Sequence, residues 1–143
     1  DDDADQLTDM KLTIWYEWSG KEGFALLNPD GTETPAFKST KVLIDQLTGY
    51  TLDKRLPPED ARDFVVRYKD AKGNAKLIVW TAPPPMQTPD KTVEHEIEIP
   101  IPSHQGTLET VDIYGKAGEV EVKDGKVTVL LTGAPQYITL PSK

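Results

Sequence analysis

The sequence predicts a mainly β protein, an antiparallel β-sandwich of about eight strands with one α-helix near its N-terminus. Three observations carry that expectation. Between Tyr50 and Leu140, eight apolar-patterned segments recur at a spacing of roughly ten residues, the rhythm of a two-sheet sandwich. Twelve prolines and ten glycines are spread along the chain, which suits a body with many turns. A single helical pattern, between Thr34 and Gly49, carries both of its own end signals. The chain divides accordingly into an acidic leader (1–9), a strand–loop–helix segment (10–49) and the sandwich (50–143).

Size and charge narrow the function. At 143 residues the chain is one typical domain, large enough to bury a core. Its net charge of −8, with 24 acidic against 16 basic residues, argues against nucleic acid and anionic membranes as partners, because both need a basic face. A neutral polysaccharide is compatible with such a surface. The absence of cysteine excludes a disulfide framework and a thiol nucleophile. No apolar run approaches the ~20 residues of a membrane span. The chain opens on Asp1-Asp2-Asp3 with no signal peptide and reads as a mature form or an excised piece.

Taken in order, residues 1–9 read as a solvated leader. Asp1, Asp2, Asp3 and Asp5 are the one group that suggests calcium, yet that ion needs six or more oxygens in a defined loop, and no spacing here supplies them; no cofactor is expected. Leu12, Ile14, Tyr16 and Trp18 alternate with Lys11, Thr13, Trp15 and Glu17, the two-residue period of a strand. A loop follows, broken by Ser19-Gly20 and Glu22-Gly23 and closed by the turn Asn28-Pro29-Asp30-Gly31. Thr34 then offers an N-cap and Pro35 the first helical position, where a missing N–H costs nothing. Phe37, Thr40, Ile44 and Leu47 share one helical stripe with Leu43 beside it, and Gly49 is placed as the glycine that ends a helix.

Strand, loop and helix make one βα unit, and such a unit normally belongs to a parallel sheet. Nothing else in the chain repeats it. The strand therefore has three outlets: an edge of the sandwich, a homodimer pairing through residues 10–18, or a loose remnant.

The sandwich itself reads strand by strand. Tyr50 to Leu56 is closed by Pro57-Pro58, and Glu59, Asp60 and Arg62 form a polar corner. Phe64 to Tyr68 is a strand, Asp70 to Asn74 a glycine-bearing hairpin loop, and Lys76 to Thr81 a nearly all-apolar and so central strand, with Trp80 expected in the core. Ala82-Pro83-Pro84-Pro85 breaks the sheet, and the segment through Pro89 reads as a connection between sheets. From Val93 to Ile101 one face is apolar and the other carries Glu94, Glu96 and Glu98, a solvated face that also discourages edge pairing. His95 falls on the apolar face as a packed, satisfied histidine, and His104 lies in a loop; their spacing does not make a zinc site. A meander follows, with Thr107–Tyr114, Glu119–Val122, the hairpin signal at Lys123-Asp124-Gly125-Lys126, Lys126–Leu131 and Gln136–Leu140. No phosphate loop, dinucleotide fingerprint, nucleophile elbow or internal repeat is present.

The phrasing of the N-terminal stretch carries a resemblance of pattern, with no invariant catalytic motif inside it. IWYEW, a short acidic loop, GFALL, DGTETPAFK, an amphipathic helix and LTGY resemble the last strand and helix of a clan-A (β/α)8-barrel glycoside hydrolase. In those enzymes this unit leads into a C-terminal β-sandwich, which GYTLDKRL, DFVVRYKD, KLIVWTA and LTGAPQYITL also resemble; the likeness runs from about Lys11 to Leu140. It implies a secreted protein whose partners are a polysaccharide or oligosaccharide and the catalytic barrel of a parent enzyme. It also implies that Trp15 floors a sugar site. Flat sugar faces stack on indole, so the candidate carbohydrate-binding residues are Trp15, Tyr16, Glu17, Trp18 and Tyr50, with Tyr114 and Tyr137 as further aromatics. Glycoside hydrolysis needs two carboxylates, which the family places on earlier barrel strands; Glu17 alone is no catalyst, and a non-catalytic chain is expected. Two expectations follow: a carbohydrate-binding module that takes β-linked glycans by aromatic stacking, or a structural sandwich accessory to a hydrolase with no ligand of its own.

Overall fold

A computed structural model describes residues 17–19, 25–82 and 94–142. Two short strands open it, β1 (Glu17–Ser19) and β2 (Ala25–Leu27), and they pair in parallel with Glu17 opposite Ala25. Residues 25–27 were expected to be loop; instead they are the partner that β1 needs. At residues 17–19, then, the first strand pairs with β2 and not with the edge of the sandwich; residues 10–16 of that strand lie outside the described residues. Helix α1 (Pro35–Leu47) follows. Its start is the predicted one: the Thr34 hydroxyl accepts from the Phe37 N–H at 3.3 Å, and Pro35 stands at the first helical position. The same hydroxyl donates toward the carbonyls of Ala25 and Leu26, at 3.1 and 2.9 Å, so the cap also ties the helix to β2. Gly49, at φ 85°, ends the helix in the left-handed region, where a side chain would be strained.

Eight strands follow, as expected: β3 (Tyr50–Leu56), β4 (Asp63–Asp70), β5 (Ala75–Thr81), β6 (His95–Pro100), β7 (Gly106–Val111), β8 (Ala117–Val122), β9 (Lys126–Leu131) and β10 (Gln136–Leu140). Six form one antiparallel sheet in the order β3-β4-β5-β10-β7-β8. The other two, β6 and β9, pair with each other and lie across that sheet as a second layer. The turns are the ones the sequence announces. Gly73 sits at φ 88° in the Asp70–Asn74 loop, and Asp124 and Gly125, at φ 50° and 72°, make the two-residue turn between β8 and β9.

The core is the seam between the layers. Val65, Ala75, Leu77, Val79, Leu108, Ile138 and Leu140 from the six-stranded sheet meet Ile99, Val127, Val129 and Leu131 from β6 and β9, with Ile101 just beyond β6. Alternation sets this: β9 reads exposed, buried, exposed, buried along its length, so every second side chain enters the seam. Strand β5 is buried almost throughout because both of its faces are covered. On its outer face Ile78 and its cross-strand partner Tyr137 are 6% and 2% exposed. Helix α1 lies on this side: the Lys76 ammonium donates to the Gln46 carbonyl at 2.9 Å and to its side-chain oxygen at 2.8 Å. No described helix is long and apolar enough to cross a membrane.

Candidate functional site

The helix meets the sheet with a face other than the one its sequence advertises. Val42 lies against Gly115 and Gln46 against Lys76, so the contacting face runs through residues 42 and 46. The apolar stripe of Phe37, Leu43, Ile44 and Leu47 is turned away from it. No helical residue is fully buried, and Leu43 and Ile44 are 42% and 58% exposed. Trp18 continues this surface. Its indole is 65% exposed and touches Phe37 edge-on, ring centres 6.1 Å apart. Lys41, paired with Glu33 at 2.6 Å, places its ammonium 5.4 Å from the Phe37 ring. The result is an apolar strip with a polar margin beside the β1–β2 pair.

The predicted sugar-binding residues are only partly brought together. Trp15 and Tyr16 lie outside the described residues, as do Asp1, Asp2, Asp3 and Asp5. Glu17 stands in β1 opposite Ala25. Trp18 belongs to the helix strip. Tyr50 is half-buried on the sheet with the Lys76 ammonium 5.0 Å from its ring. Burial, then the Asp70 carboxylate, raises the Tyr50 phenol above its ordinary value, and burial lowers Lys76 below its own. Trp18 and Tyr50 thus sit in separate clusters. Tyr114 is exposed and Tyr137 buried, its phenol also raised by burial.

Trp80, expected in the core, is a half-buried residue of the outer face. It stacks on Phe64 with ring centres 4.6 Å apart and planes 5° from parallel, and the Arg55 guanidinium covers the other side of Phe64 at 4.1 Å. This pile joins β3, β4 and β5. It covers one face of the Trp80 indole.

A second feature lies where the two-stranded layer stops. A groove of about 820 Å³ runs between β6 and the β3–β4 side of the large sheet, with Leu56, Val65, Ile97 and Ile99 at its base. At its end Asp63, 2% exposed, receives His95 Nε2 on Oδ2 at 2.9 Å, across the gap between the layers. His95 is therefore satisfied, as expected, and its partner is a buried carboxylate. Among the described residues Asp63 Oδ1 and the Thr81 hydroxyl have no hydrogen-bond partner, and Asp63 and Thr81 are opposite one another in the β4–β5 ladder. The polar corner closes the mouth: Arg62 clasps Asp60 with contacts of 2.6 to 3.2 Å, which holds the Asp60 carboxyl at about 2. The sequence marked the corner and the glutamate face but not the groove, because the uncovered inner surface depends on which strands pair. Among the described residues no group of acidic and histidine side chains is arranged to hold a metal ion.

The architecture is that of a β-sandwich preceded by a strand–strand–helix unit. No protein-family description and no curated protein matches the chain. Solved structures do, and those below are glycoside hydrolases. A family 39 glycoside hydrolase from the gut symbiont Bacteroides cellulosilyticus shares 22% identity over 82% of this chain and 22% of its own, with a TM-score of 0.66. A GH30 endoxylanase from Clostridium papyrosolvens shares 12% identity over 85% of this chain and 31% of its own, at a TM-score of 0.59. An Anoxybacillus alpha-amylase shares 16% identity over 87% and 27% of the two chains, at 0.51. The likeness is one of fold. The chain spans between about a fifth and a third of these hydrolases, a share that fits a C-terminal sandwich region.

Proposed function

We propose that this chain is a structural accessory region of a polysaccharide-degrading glycoside hydrolase, a sandwich whose helix-bearing face packs against the rest of the enzyme. The observation that carries the reading is the apolar strip beside the small parallel pair β1–β2, in which Trp18, Leu43 and Ile44 are exposed and Phe37 is half-buried against Trp18. A chain folding for itself would turn that stripe onto its own sheet. A stripe held outward suits a larger apolar interface. Parallel strands, moreover, belong in sheets covered on both faces. The short share of each neighbouring hydrolase that the chain spans supports the same reading. In it the catalytic carboxylates reside on the remainder of the enzyme, the glycan is that enzyme's substrate, and the protein is secreted.

A second reading rests on Trp18, whose exposed indole offers a stacking face for a pyranose. One experiment separates the two. Affinity electrophoresis of the chain through xylan, mixed-linkage glucan, xyloglucan, mannan and hydroxyethyl cellulose is expected to show no retardation. Retardation by one polymer that Trp18→Ala abolishes would overturn the structural reading and establish a binding module.

A further inference from the structure

The two layers of the sandwich are unequal. One sheet has six strands and the other two. Strands in a sheet lie about 4.8 Å apart, so a two-stranded layer covers well under half of a six-stranded one. The core shows which part is covered. Strand β9 follows β8 through a tight turn, and β6 lies beyond β9, reaching β4 at the His95–Asp63 contact. Past β6, above β3 and β4, among the described residues no strand pairs with its free edge. That edge is one wall of the groove.

We propose that the groove accepts an extended segment of polypeptide from outside these 143 residues, with apolar and basic side chains alternating, which adds a third strand to the free edge of β6. The inference rests on the reading that the chain is part of a longer hydrolase, since the neighbours leave over two-thirds of each enzyme unaccounted for. Three features specify the occupant. The N–H and C=O groups on the side of β6 away from β9, unpaired among the described residues, ask for a strand, because an open edge is a template for pairing. The base, with Leu56 and Ile97 only partly covered, asks for an apolar side chain at every second position. The walls ask for positive charge: Arg62 pairs with Asp60, Lys126 with Glu98 at 2.8 Å and His95 with Asp63, which leaves Glu59 and Glu96 without a cation among the described residues. Asp63 Oδ1, buried without a donor among the described residues, marks where one donor of the segment would end.

The test uses the full chain and a synthetic nonapeptide of alternating lysine and valine as the probe, with its glutamate-for-lysine counterpart as control. Binding is read by fluorescence polarisation and located by amide hydrogen exchange. The lysine peptide is expected to protect amides between His95 and Pro100. The double variant Glu96→Lys, Glu98→Lys is expected to bind about tenfold more weakly, because two exposed charges are reversed and each such pairing is worth up to about 1 kcal/mol. Both residues are exposed, so the variant keeps the fold. Ile44→Ser, on the helix strip, is expected to leave this binding unchanged, which separates the groove from the docking face. Absence of binding, protection confined to other elements, or equal affinity in the charge-reversed variant would each overturn the proposal.

Discussion

If the helix strip is a docking face, then polar substitutions on it cost the isolated chain little. Ile44 is the sharpest case. Fully burying an isoleucine is worth about 1.5–3 kcal/mol, and Ile44 retains 58% of its exposure, so Ile44→Ser forfeits at most about 1 kcal/mol of burial. Leu43, 42% exposed, stands slightly higher. For a chain of this size about 1 kcal/mol moves Tm by about 4 °C. Leu131, fully buried in the seam, sets the opposite limit: Leu131→Ala leaves a cavity and costs about 2–5 kcal/mol. Thermal melts by circular dichroism should therefore place Ile44→Ser within about 4 °C of the parent and Leu131→Ala at least twice as far below it. The same Ile44→Ser chain should bind less anilinonaphthalene sulfonate and sediment with less self-association, because the exposed patch has been broken. A melt in which Ile44→Ser falls as far as Leu131→Ala would refute the reasoning, since it would mean that the strip is packed within this chain.

Three further outcomes follow from particular contacts. Lys76→Met removes the donor that holds Gln46, and should lower hydrogen-exchange protection in the last turn of α1 while β5 and β10 keep theirs. A Cβ on Gly118 would lie 2.9 Å from the Thr110 hydroxyl on the adjoining strand, so Gly118→Ala should destabilise by about 1–3 kcal/mol in urea unfolding, and Thr110→Ala in the same chain should restore most of that loss. The Asp60 carboxyl is depressed from its ordinary 3.8 to about 2 by Arg62. A depressed acid stabilises above its unfolded value and loses that contribution as pH falls through the folded value. Asp60→Asn should consequently flatten the fall of the urea midpoint between about pH 4 and pH 2 relative to the parent.

The sandwich was legible because its information is local. Alternation along β9, the Asp124-Gly125 turn and the glycine after Asp70 each fix a strand or a hairpin without reference to distant residues. The helix was equally legible from Thr34, Pro35 and Gly49. What the residues could not give was the order of strands. Placing β10 between β5 and β7, and leaving β6 and β9 as a pair, is a choice among long-range pairings that share the same two-residue period. The groove and the unequal layers follow from that choice, so no motif announced them. Trp80 was misplaced for a related reason. An apolar run shows that both faces of a strand are covered but not by what, and here Phe64 and Arg55 cover the outer face in place of a second core.

The helix stripe is the more instructive misfit. Its periodicity correctly named the face that wants burial, yet this chain spends a different face, through Val42 and Gln46, on its own sheet. The proposed docking face reconciles the two observations by giving the helix a second partner. The β1–β2 pair points the same way, since a two-stranded parallel ribbon has too little surface to stand alone in water. The sequence pattern of Phe37, Leu43, Ile44 and Leu47 is then what the proposed docking face would bury, with Leu43 and Ile44 exposed and Phe37 and Leu47 half-buried in this chain.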